Sequence, residues 1–505
     1  MKVVYNCILL LFILSATSYS QDKILNHKVL IDEQGILSPW TSYDNIIDWS
    51  IGFIKNCPTK KTNFGNDPLY LVTAKLNPDG TYIKKQNNQG SNVYWAVETH
   101  RKHYAYSGDR QSLEPIRKLI NRVIYYHTPS DWAWPNVPRT QDDTSDGEYN
   151  DEWSGVDKIC MAAIGYIKFY KLTGEKYYLD KALEVAKTVL PFIKKGDKTH
   201  SPLPFRVNLK TGKVLDPYSS DMIFVVKFLD ELIAMKDATF DLDYLETIRG
   251  DIIKWIFNYP IKSNIWSGYF EDMEPDINNC NQVNPMETAR YILRNPNVDP
   301  NYELDIKKLI NWVRTRYKKA EYYGSTSIAE QDSFYLQMGS HTARYGSILA
   351  MWFGVSLNQD VREEANATLA LSTYSAYNEF SKENYSMNAT GIEYPGIWFS
   401  DSYWDYLSHF FDAMSQLPEM LPKNENHLFY SSSVITDIKY SDDAIEYQTF
   451  DNVGVERIIL TFDPILYSYG KILEKENWVY GTYNGVPNIL TIKRKDKNHI
   501  FVKKK

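Results

Sequence analysis

Hydrophobic positions recur about every 3.6 residues over twelve stretches of the chain, and this period predicts a helix for each stretch. The links within successive pairs of helices have roughly 2–8 residues, the usual length between antiparallel neighbours. The links between pairs have roughly 20–35 residues, a length that compact domains keep mainly for functional loops. The predicted helices span residues 43–57, 92–107, 112–126, 157–172, 175–193, 221–237, 244–258, 286–293, 302–317, 340–357, 360–380 and 401–415.

The alternation of link lengths predicts a closed ring in which all long loops lie on one rim and all short links on the other. A weak internal repeat agrees with this arrangement. Residues 104–109 and 169–175 each end an aromatic helix with a small polar residue, a glycine and an acid. The glycines, Gly108 and Gly174, suit left-handed C-caps, and the acids suit the start of the next helix.

These features resemble the six-hairpin, or (α/α)6, toroid of carbohydrate-active enzymes over most of the chain. The hairpin turns at Gly108 and Gly174 and the tryptophan-rich long loops carry the resemblance. Within that class, the chain is similar to secreted enzymes that attack uronic-acid oligosaccharides. These include unsaturated glucuronyl hydrolases and an oligosaccharide dehydratase type associated with breakdown of the algal polysaccharide ulvan. The resemblance implies a mainly α fold and an oligosaccharide substrate.

The two ends of the chain differ from the helical part. Residues 1–20 combine an early lysine, a short apolar run and a small-residue cleavage site, which indicates a signal peptide and a secreted or periplasmic protein. Residues 21–422 are the predicted toroid, and residues 423–505 show β-rich segments and turns that predict a small β-sheet domain. The formal net charge of −7 argues against a nucleic-acid partner. We expect no membrane insertion once the signal is cleaved.

The segment from residue 339 to 345, on the predicted long-loop rim, offers the most complete chemistry. His341, Arg344 and Tyr345 are spaced i, i+3 and i+4, so we expect all three on one helix face. Removing the C5 proton of a uronic acid requires a base, a group that neutralises the adjacent carboxylate, and an acid for the departing oxygen. Histidine, arginine and tyrosine can supply these roles, which favours a β-eliminating lyase or dehydratase. The structural alternative is that His341 and Tyr345 only satisfy hydrogen bonds in the core.

An acidic loop before the fourth helix favours glycoside hydrolysis instead. Asp151 and Glu152 precede this helix, and hydrolysis needs two carboxylates, one acting as acid and one as base or nucleophile. Helix capping within a solvated loop is the structural alternative. Asp142 and Asp146 resemble the opening of a calcium loop, but Trp153 occupies the position of the bidentate acid, so calcium is only weakly indicated and we predict no other metal or cofactor. A non-catalytic glycan-binding protein is disfavoured because binding alone does not require so many ionisable groups on one rim.

Aromatic and charged residues near the same rim complete the predicted site. Sugar rings stack on flat aromatic surfaces, although core packing is the alternative for each ring. We expect the catalytic candidates His100 and Asp151 to line one pocket with the 341–345 segment. The predicted substrate contacts are Trp95, Glu98, Arg139, Trp153, Glu330 and Trp404.

Overall fold

The computed structural model describes residues 23–24, 27–57, 59–68, 75–76, 82–84, 89–139, 152–268, 278–377, 387–388, 398–399 and 401–505. Twelve α-helices occur in this part of the chain, which confirms the predicted helices. They are α1 Tyr43–Lys55, α2 Gln89–Ser107, α3 Glu114–Tyr125, α4 Val156–Thr173, α5 Lys176–Val189, α6 Ile223–Met235, α7 Leu242–Ile256, α8 Val283–Arg294, α9 Tyr302–Tyr317, α10 Gly339–Ser356, α11 Gln359–Thr373 and α12 Asp401–Met414.

The even-numbered helices form an inner ring, because each of them contacts the next and α12 contacts α2. Short links join α2 to α3, α4 to α5, α6 to α7, α8 to α9 and α10 to α11, and these partners lie outside the ring. The sixth pair joins the two ends of the helical region, since α1 contacts α12 and Tyr43 packs against Phe410. The architecture is therefore an (α/α)6 toroid.

Glycines allow two tight features of this ring. Gly174 ends α4 with φ of 77°, a left-handed conformation, as predicted from its position in the repeat. Gly165 lies where α4 crosses α2, and a Cβ atom there would come within 2.7 Å of the Val93 side chain. The absence of a side chain at Gly165 therefore lets two inner helices approach closely.

The helix α11 is shorter than predicted, because it ends at Thr373 rather than near residue 380. The Thr373 hydroxyl donates to the Ala370 carbonyl and accepts from the backbone N–H of Trp40. The helix end is thus tied to the segment before α1. A short strand follows it, so the apolar period past Thr373 does not continue the helix.

The long links carry short strands that the hydrophobic period did not reveal. The three-stranded sheet β7-β8-β9 precedes α4 and α6, and the hairpin β10-β11 precedes α10. The strands up to α12 are β1 Lys23–Ile24, β2 His27–Lys28, β3 Lys60–Thr62, β4 Gly65–Asp67, β5 Lys75–Leu76, β6 Tyr82–Lys84, β7 Trp153–Gly155, β8 Arg206–Asn208, β9 Val214–Asp216, β10 Lys318–Tyr322, β11 Ser325–Ile328, β12 Ala376–Tyr377, β13 Met387–Asn388 and β14 Trp398–Phe399.

The C-terminal part is a sandwich of two antiparallel sheets, ordered β15-β18-β22-β21 and β16-β17-β23-β19-β20. It covers the short-link end of the ring, where the Tyr440 hydroxyl donates to the Ala105 carbonyl and its ring lies against Gly108. The opposite rim is left to the long loops. The strands are β15 His427–Ser431, β16 Ile435–Ser441, β17 Ala444–Thr449, β18 Gly454–Ile459, β19 Pro464–Ser468, β20 Lys471–Ile472, β21 Trp478–Tyr483, β22 Val486–Arg494 and β23 His499–Lys504.

The predicted signal peptide, residues 1–20, lies outside the described residues. Among the helices that are described, none has the length and apolar character needed to cross a membrane.

Candidate active site

His341 and Arg344 lie together in the first turns of α10, at the end of the inner ring where the long loops emerge. The Arg344 guanidinium donates to Nδ1 of His341 across 2.7 Å, and the side-chain amide of Gln282 lies 2.6 Å from the same nitrogen. On the other side of the ring, Nε2 lies 3.6 Å from a Glu330 carboxylate oxygen. All four side chains are buried.

These contacts fix the protonation of the imidazole. Arginine can only donate, so Nδ1 of His341 is the acceptor and the ring proton of the neutral form lies on Nε2, toward Glu330. Arg344 and Gln282 therefore both approach the single lone pair on Nδ1 of His341. That lone pair can accept a full hydrogen bond from only one of them. A ligand that attracts the Arg344 guanidinium would leave the base nitrogen of His341 to the weaker amide donor.

Tyr345 does not share the face of His341 and Arg344, and that expectation is wrong. Its hydroxyl accepts from Nε of Arg314 at 2.9 Å and donates to Glu364 at 3.3 Å. Arg314 is in α9 and Glu364 in α11, so the ring points to the outer helices. Burial, followed by the Glu364 charge, raises the pKa of Tyr345 far above its usual range. Tyr345 is a structural residue.

A buried pair of carboxylates lies at the same long-loop end of the ring, on two neighbouring inner helices. Asp157 is in the first turn of α4, and Asp221 immediately precedes α6. Both side chains are almost fully inaccessible to solvent. Burial, followed by the charge of Asp157, raises the pKa of Asp221 well above its usual value. The raised pKa makes Asp221 the member of the pair that favours the protonated form.

Local backbone features hold the two aspartates in place. Gly155 caps the start of α4, and a Cβ atom there would lie 3.0 Å from Oδ1 of Asp157. The Asp221 N–H donates to the Ser219 hydroxyl at 3.0 Å. The ammonium of Lys158 lies 3.3 Å from Asp157 and 3.9 Å from Asp221, so it stabilises negative charge on the pair.

The sequence shows that both aspartates lie at helix starts, but it does not show that they are close together in space. Residues 157 and 221 begin two of the predicted inner helices, and helix starts normally favour acids for capping and for the helix dipole. A closed ring brings the starts of successive inner helices together. The observation that both helices open with an aspartate was therefore the available signal.

Charged side chains fill the axis of the ring behind His341 and Arg344. Glu287 lies 3.4 Å from Nε of Arg344 and 3.1 Å from Arg290, and Asp412 accepts from Arg290 at 2.8 Å. Cations outnumber carboxylates in this axial network. Its members are Lys102, Lys168, Lys171, Lys227, Arg101, Arg290, Arg294 and Arg344 with Glu98, Glu231, Glu287 and Asp412.

Glu98 belongs to this network, so its predicted role as a substrate contact is wrong. It accepts from Arg101 at 2.6 Å and from Lys168 at 2.6 Å, and it is buried. Burial acts to raise its pKa, but the charges of Arg101, Lys168 and Lys102 outweigh burial and hold the pKa well below its usual value. Glu98 is therefore a permanently ionised structural group.

His100 and Trp404 are also core residues, contrary to prediction. Neither side chain is exposed, and their rings pack 5.6 Å apart between α2 and α12. Burial, followed by the neighbouring His103, lowers the pKa of His100 well below its usual value. Since His103 contacts Ser112 in the short link to α3, His100 faces away from the long-loop rim.

Trp95 lies next to Arg344, inside the ring of helices. The Arg344 guanidinium carbon is 5.3 Å from the centre of the Trp95 ring, and His409 packs against it at 5.3 Å. The indole is buried, with 5% of its surface exposed. The Trp95 ring therefore packs against the Arg344 guanidinium. Its direct stacking on a sugar stays a prediction.

The acidic-loop candidates divide into a described and an undescribed part. Asp142, Asp146 and Asp151 lie outside the described residues. The exposed Glu152 pairs with Lys210 at 2.9 Å. Hydrogen bonds from Lys210, followed by Asn208, lower its pKa, so Glu152 is ionised and poorly suited to act as the acid of a hydrolase.

Two of the predicted substrate contacts, Arg139 and Trp153, each take part in a cation–π pair. The Arg139 guanidinium carbon lies 4.8 Å from the Trp132 ring, and that of Arg206 lies 4.7 Å from the Trp153 ring. Both arrangements occur in the long-loop segments around β7, and the side chains are partly exposed. Arg139 and Trp153 therefore remain candidates for substrate contact, while Glu330 contacts His341.

Comparisons with known proteins agree on the fold. Neither the protein-family models nor the curated proteins that were searched give a match. A solved D-mannose isomerase matches with a TM-score of 0.55 and 10% identity, covering 74% of this chain and 97% of the other. Cellobiose 2-epimerase from Bacillus thermoamylovorans matches with a TM-score of 0.52 and 11% identity, covering 73% and 99%. A sugar epimerase from a ruminal bacterium has a TM-score of 0.52 and 9% identity, covering 73% and 97%. Such low identities establish a shared toroid and nothing finer.

Proposed function

We propose that this protein is an enzyme of oligosaccharide breakdown that catalyses β-elimination on uronic-acid-containing oligosaccharides of the ulvan kind, as a lyase or a dehydratase. The contact between Arg344 and Nδ1 of His341 carries the proposal. A carboxylate-bearing sugar is the ligand that would compete for Arg344, since guanidinium groups bind carboxylates in two parallel hydrogen bonds. Binding of the uronate would thereby remove the Arg344 hydrogen bond from the His341 lone pair and leave the contact with Gln282.

In the proposed reaction, His341 takes the C5 proton of the uronic acid. The electron pair of the C5–H bond forms the C4–C5 double bond, and the C4–O bond breaks. Arg344 neutralises the carboxylate next to C5, which makes the C5 proton acidic enough to remove. The departing oxygen takes the proton of Asp221, whose pKa is raised by burial and by the charge of Asp157. If that oxygen is glycosidic, the reaction is that of a lyase, and if it leaves as water, the reaction is a dehydration.

The charge of the axis supports an anionic substrate. Although the chain has a formal net charge of −7, cations exceed carboxylates in the axial network behind the site. A charged cavity with low-dielectric walls concentrates its field and attracts ligands of opposite sign.

Hydrolysis of a glycosidic bond is the second candidate function, and the buried Asp157–Asp221 pair favours it. A protonated Asp221 has the character of a general acid. In the hydrolase, the two aspartates would do the chemistry and Arg344 would only bind substrate. The predicted hydrolytic role of Glu152 is less supported, because that carboxylate is exposed and paired with Lys210.

One incubation separates these reactions. The mature protein is incubated with uronate oligosaccharides, and the absorbance of unsaturated uronates is followed. The masses of the products are then measured by mass spectrometry. Increasing absorbance with loss of one water and no chain shortening indicates dehydration, and increasing absorbance with shortening indicates a lyase. Shortening with gain of water and constant absorbance would replace elimination with hydrolysis.

A further inference from the structure

The sixth helical pair of the ring, α1 and α12, is not joined by a short link. Five pairs are joined by short links, whereas α1 and α12 come from opposite ends of the helical region and meet only through side-chain contacts. The first turn of α1 lies near the short-link end of the ring, where the Tyr106 hydroxyl donates to the Asp44 carboxylate. The chain leaving α12 enters the sandwich at the same place, through residues 415–426 and β15.

Three potential metal ligands meet at this seam. Asp44 is in the first turn of α1, Glu425 is in the link after α12, and His427 begins β15. One ligand atom from each lies within 4.8 Å of the other two. Ligands of one Zn²⁺ ion, each bound at about 2.0–2.2 Å, lie roughly 3.5 Å apart, so a small contraction would complete the site.

The histidine is already oriented as a ligand. Nδ1 of His427 lies 2.9 Å from the Tyr106 carbonyl, which can only accept, so Nδ1 carries a proton. The ring also stacks on that of Tyr106 at 4.0 Å. Nε2 consequently presents its lone pair toward Glu425, at 3.1 Å. Metal-binding histidines are commonly fixed by such a contact from the other ring nitrogen to a backbone carbonyl.

The local charge favours a cation. Asp48 lies one turn after Asp44 in α1 and adds a third carboxylate near Glu425. Among the described residues, no lysine or arginine forms an ion pair with Asp44, Asp48 or Glu425. The only described cation partner is His427, if it is protonated.

We propose that Asp44, Glu425 and His427 bind one zinc-like divalent transition-metal ion, which fastens α1 to the chain after α12 and closes the seam of the toroid. An imidazole nitrogen with carboxylate oxygens suits Zn²⁺, whereas Ca²⁺ and Mg²⁺ prefer oxygen ligands alone. This clamp lies at the end of the ring opposite the candidate active site. It is independent of the proposed catalysis, and its test does not measure activity.

The test is calorimetric titration of the chelator-treated, full mature protein with ZnCl₂, together with thermal unfolding. We expect one equivalent of Zn²⁺ to bind and the unfolding midpoint to increase by about 2–3 °C at saturating metal. His427→Gln should abolish both effects, and Glu425→Gln should weaken binding by at least about tenfold. CaCl₂ and MgCl₂ should not replace ZnCl₂.

His499→Gln is the matched control, because His499 pairs with Glu446 at 2.9 Å on the sandwich and has no third ligand in the described residues. It should bind Zn²⁺ like the wild type. If the wild type bound no Zn²⁺, or if both seam variants retained wild-type affinity, the proposal would be overturned. Glu425 is exposed, so Glu425→Gln gives a decisive answer even if His427→Gln fails to fold.

Discussion

The guanidinium of Arg344 donates to Nδ1 of His341 across 2.7 Å, and this contact occupies the nitrogen that a proton-abstracting base would use. In the proposed reaction, this contact would protect the base until a stronger partner for Arg344 arrives. A substrate carboxylate would be such a partner, because its two oxygens match the two parallel N–H groups of the guanidinium. Under that proposal, the same residue links recognition of the uronate to activation of His341.

Replacement of Arg344 tests this link. Arg344→Ala should reduce kcat by about 10²–10³-fold, because the carboxylate charge next to C5 is no longer neutralised. Arg344→Lys should recover only part of the loss, since an ammonium cannot reproduce the bidentate geometry. Steady-state kinetics on one uronate oligosaccharide measure both values.

His341→Ala is the companion variant, with an expected loss of about 10²–10⁴-fold as the general base is removed. If Arg344→Ala increased KM while kcat stayed at the wild-type value, Arg344 would be a binding residue and elimination would lose its main support.

Asp221 should give the enzyme an alkaline limit. Its pKa is raised by burial and by Asp157, and the proposed reaction uses the protonated form. The rate of elimination should therefore decline as the pH rises through this pKa, and Asp221→Asn should remove most activity at every pH. A pH–rate profile of kcat checks this, and an activity that rises over the same range would contradict the role of Asp221 as acid.

The same shift has a consequence for stability with a defined sign. A carboxyl whose pKa is higher in the folded than in the unfolded chain stabilises the protein fully at acidic pH and loses that contribution as the pH rises through the folded value. The stability of the wild type should thus decline more than that of Asp221→Asn as the pH rises from the usual pKa of an aspartic acid through the raised pKa of Asp221. Urea unfolding at a series of pH values compares the two.

Tyr345→Phe should leave catalysis nearly unchanged, because the hydroxyl serves Arg314 and Glu364 between the outer helices. The expected cost is in stability, about 1 kcal/mol for a lost hydrogen-bonding group. Kinetics and chemical unfolding of the variant give both numbers. A drop in kcat of two orders of magnitude would restore Tyr345 as an acid or base.

The axial network should respond strongly to loss of Asp412. This carboxylate accepts from Lys102 at 2.7 Å and from Arg290 and Arg294 at 2.8 Å. Burial acts to raise its pKa, but the charges of Lys102, Arg294 and Arg290 hold it far below its usual range. Asp412→Asn should therefore destabilise the fold by about 3–5 kcal/mol, as expected when one partner of a buried ion pair is removed.

Urea unfolding measures this cost, with Asp180→Asn as the control, since Asp180 forms only an exposed pair with Lys176. A group with a depressed pKa stabilises above its unfolded pKa and loses that contribution as the pH falls. The difference between wild type and Asp412→Asn should consequently shrink in acid. Equal stability of the two proteins at neutral pH would mean that the network does not support the ring.

The fold could be predicted from the sequence because its main signal is local. The apolar period and the alternation of short and long links identify the twelve helices, and Gly174 adopts the left-handed C-cap that its position indicated. The short strands within the long loops escaped prediction because they contain few residues each and pair across loops. Their partners depend on the closed ring rather than on neighbouring residues.

The candidate site was only partly predictable, because helix spacing does not determine which neighbours surround a face. His341 and Arg344 contact each other as the i, i+3 spacing suggests, while Tyr345, one residue further around the helix, meets α9 and α11. Glu98 and His100 were predicted to lie on the long-loop rim. In the structure, Glu98 lies in the axial network and His100 packs between α2 and α12. The Asp157–Asp221 pair arises from two helices far apart in sequence.

The most direct test of elimination compares a uronate oligosaccharide with the same oligosaccharide whose carboxyl groups have been reduced to alcohols. Without the carboxylate, the C5 proton is not acidic and Arg344 has no anion to bind, so the account predicts no turnover of the reduced substrate and formation of unsaturated product from the uronate. Chain shortening of the reduced substrate with a gain of one water per cleavage would contradict it.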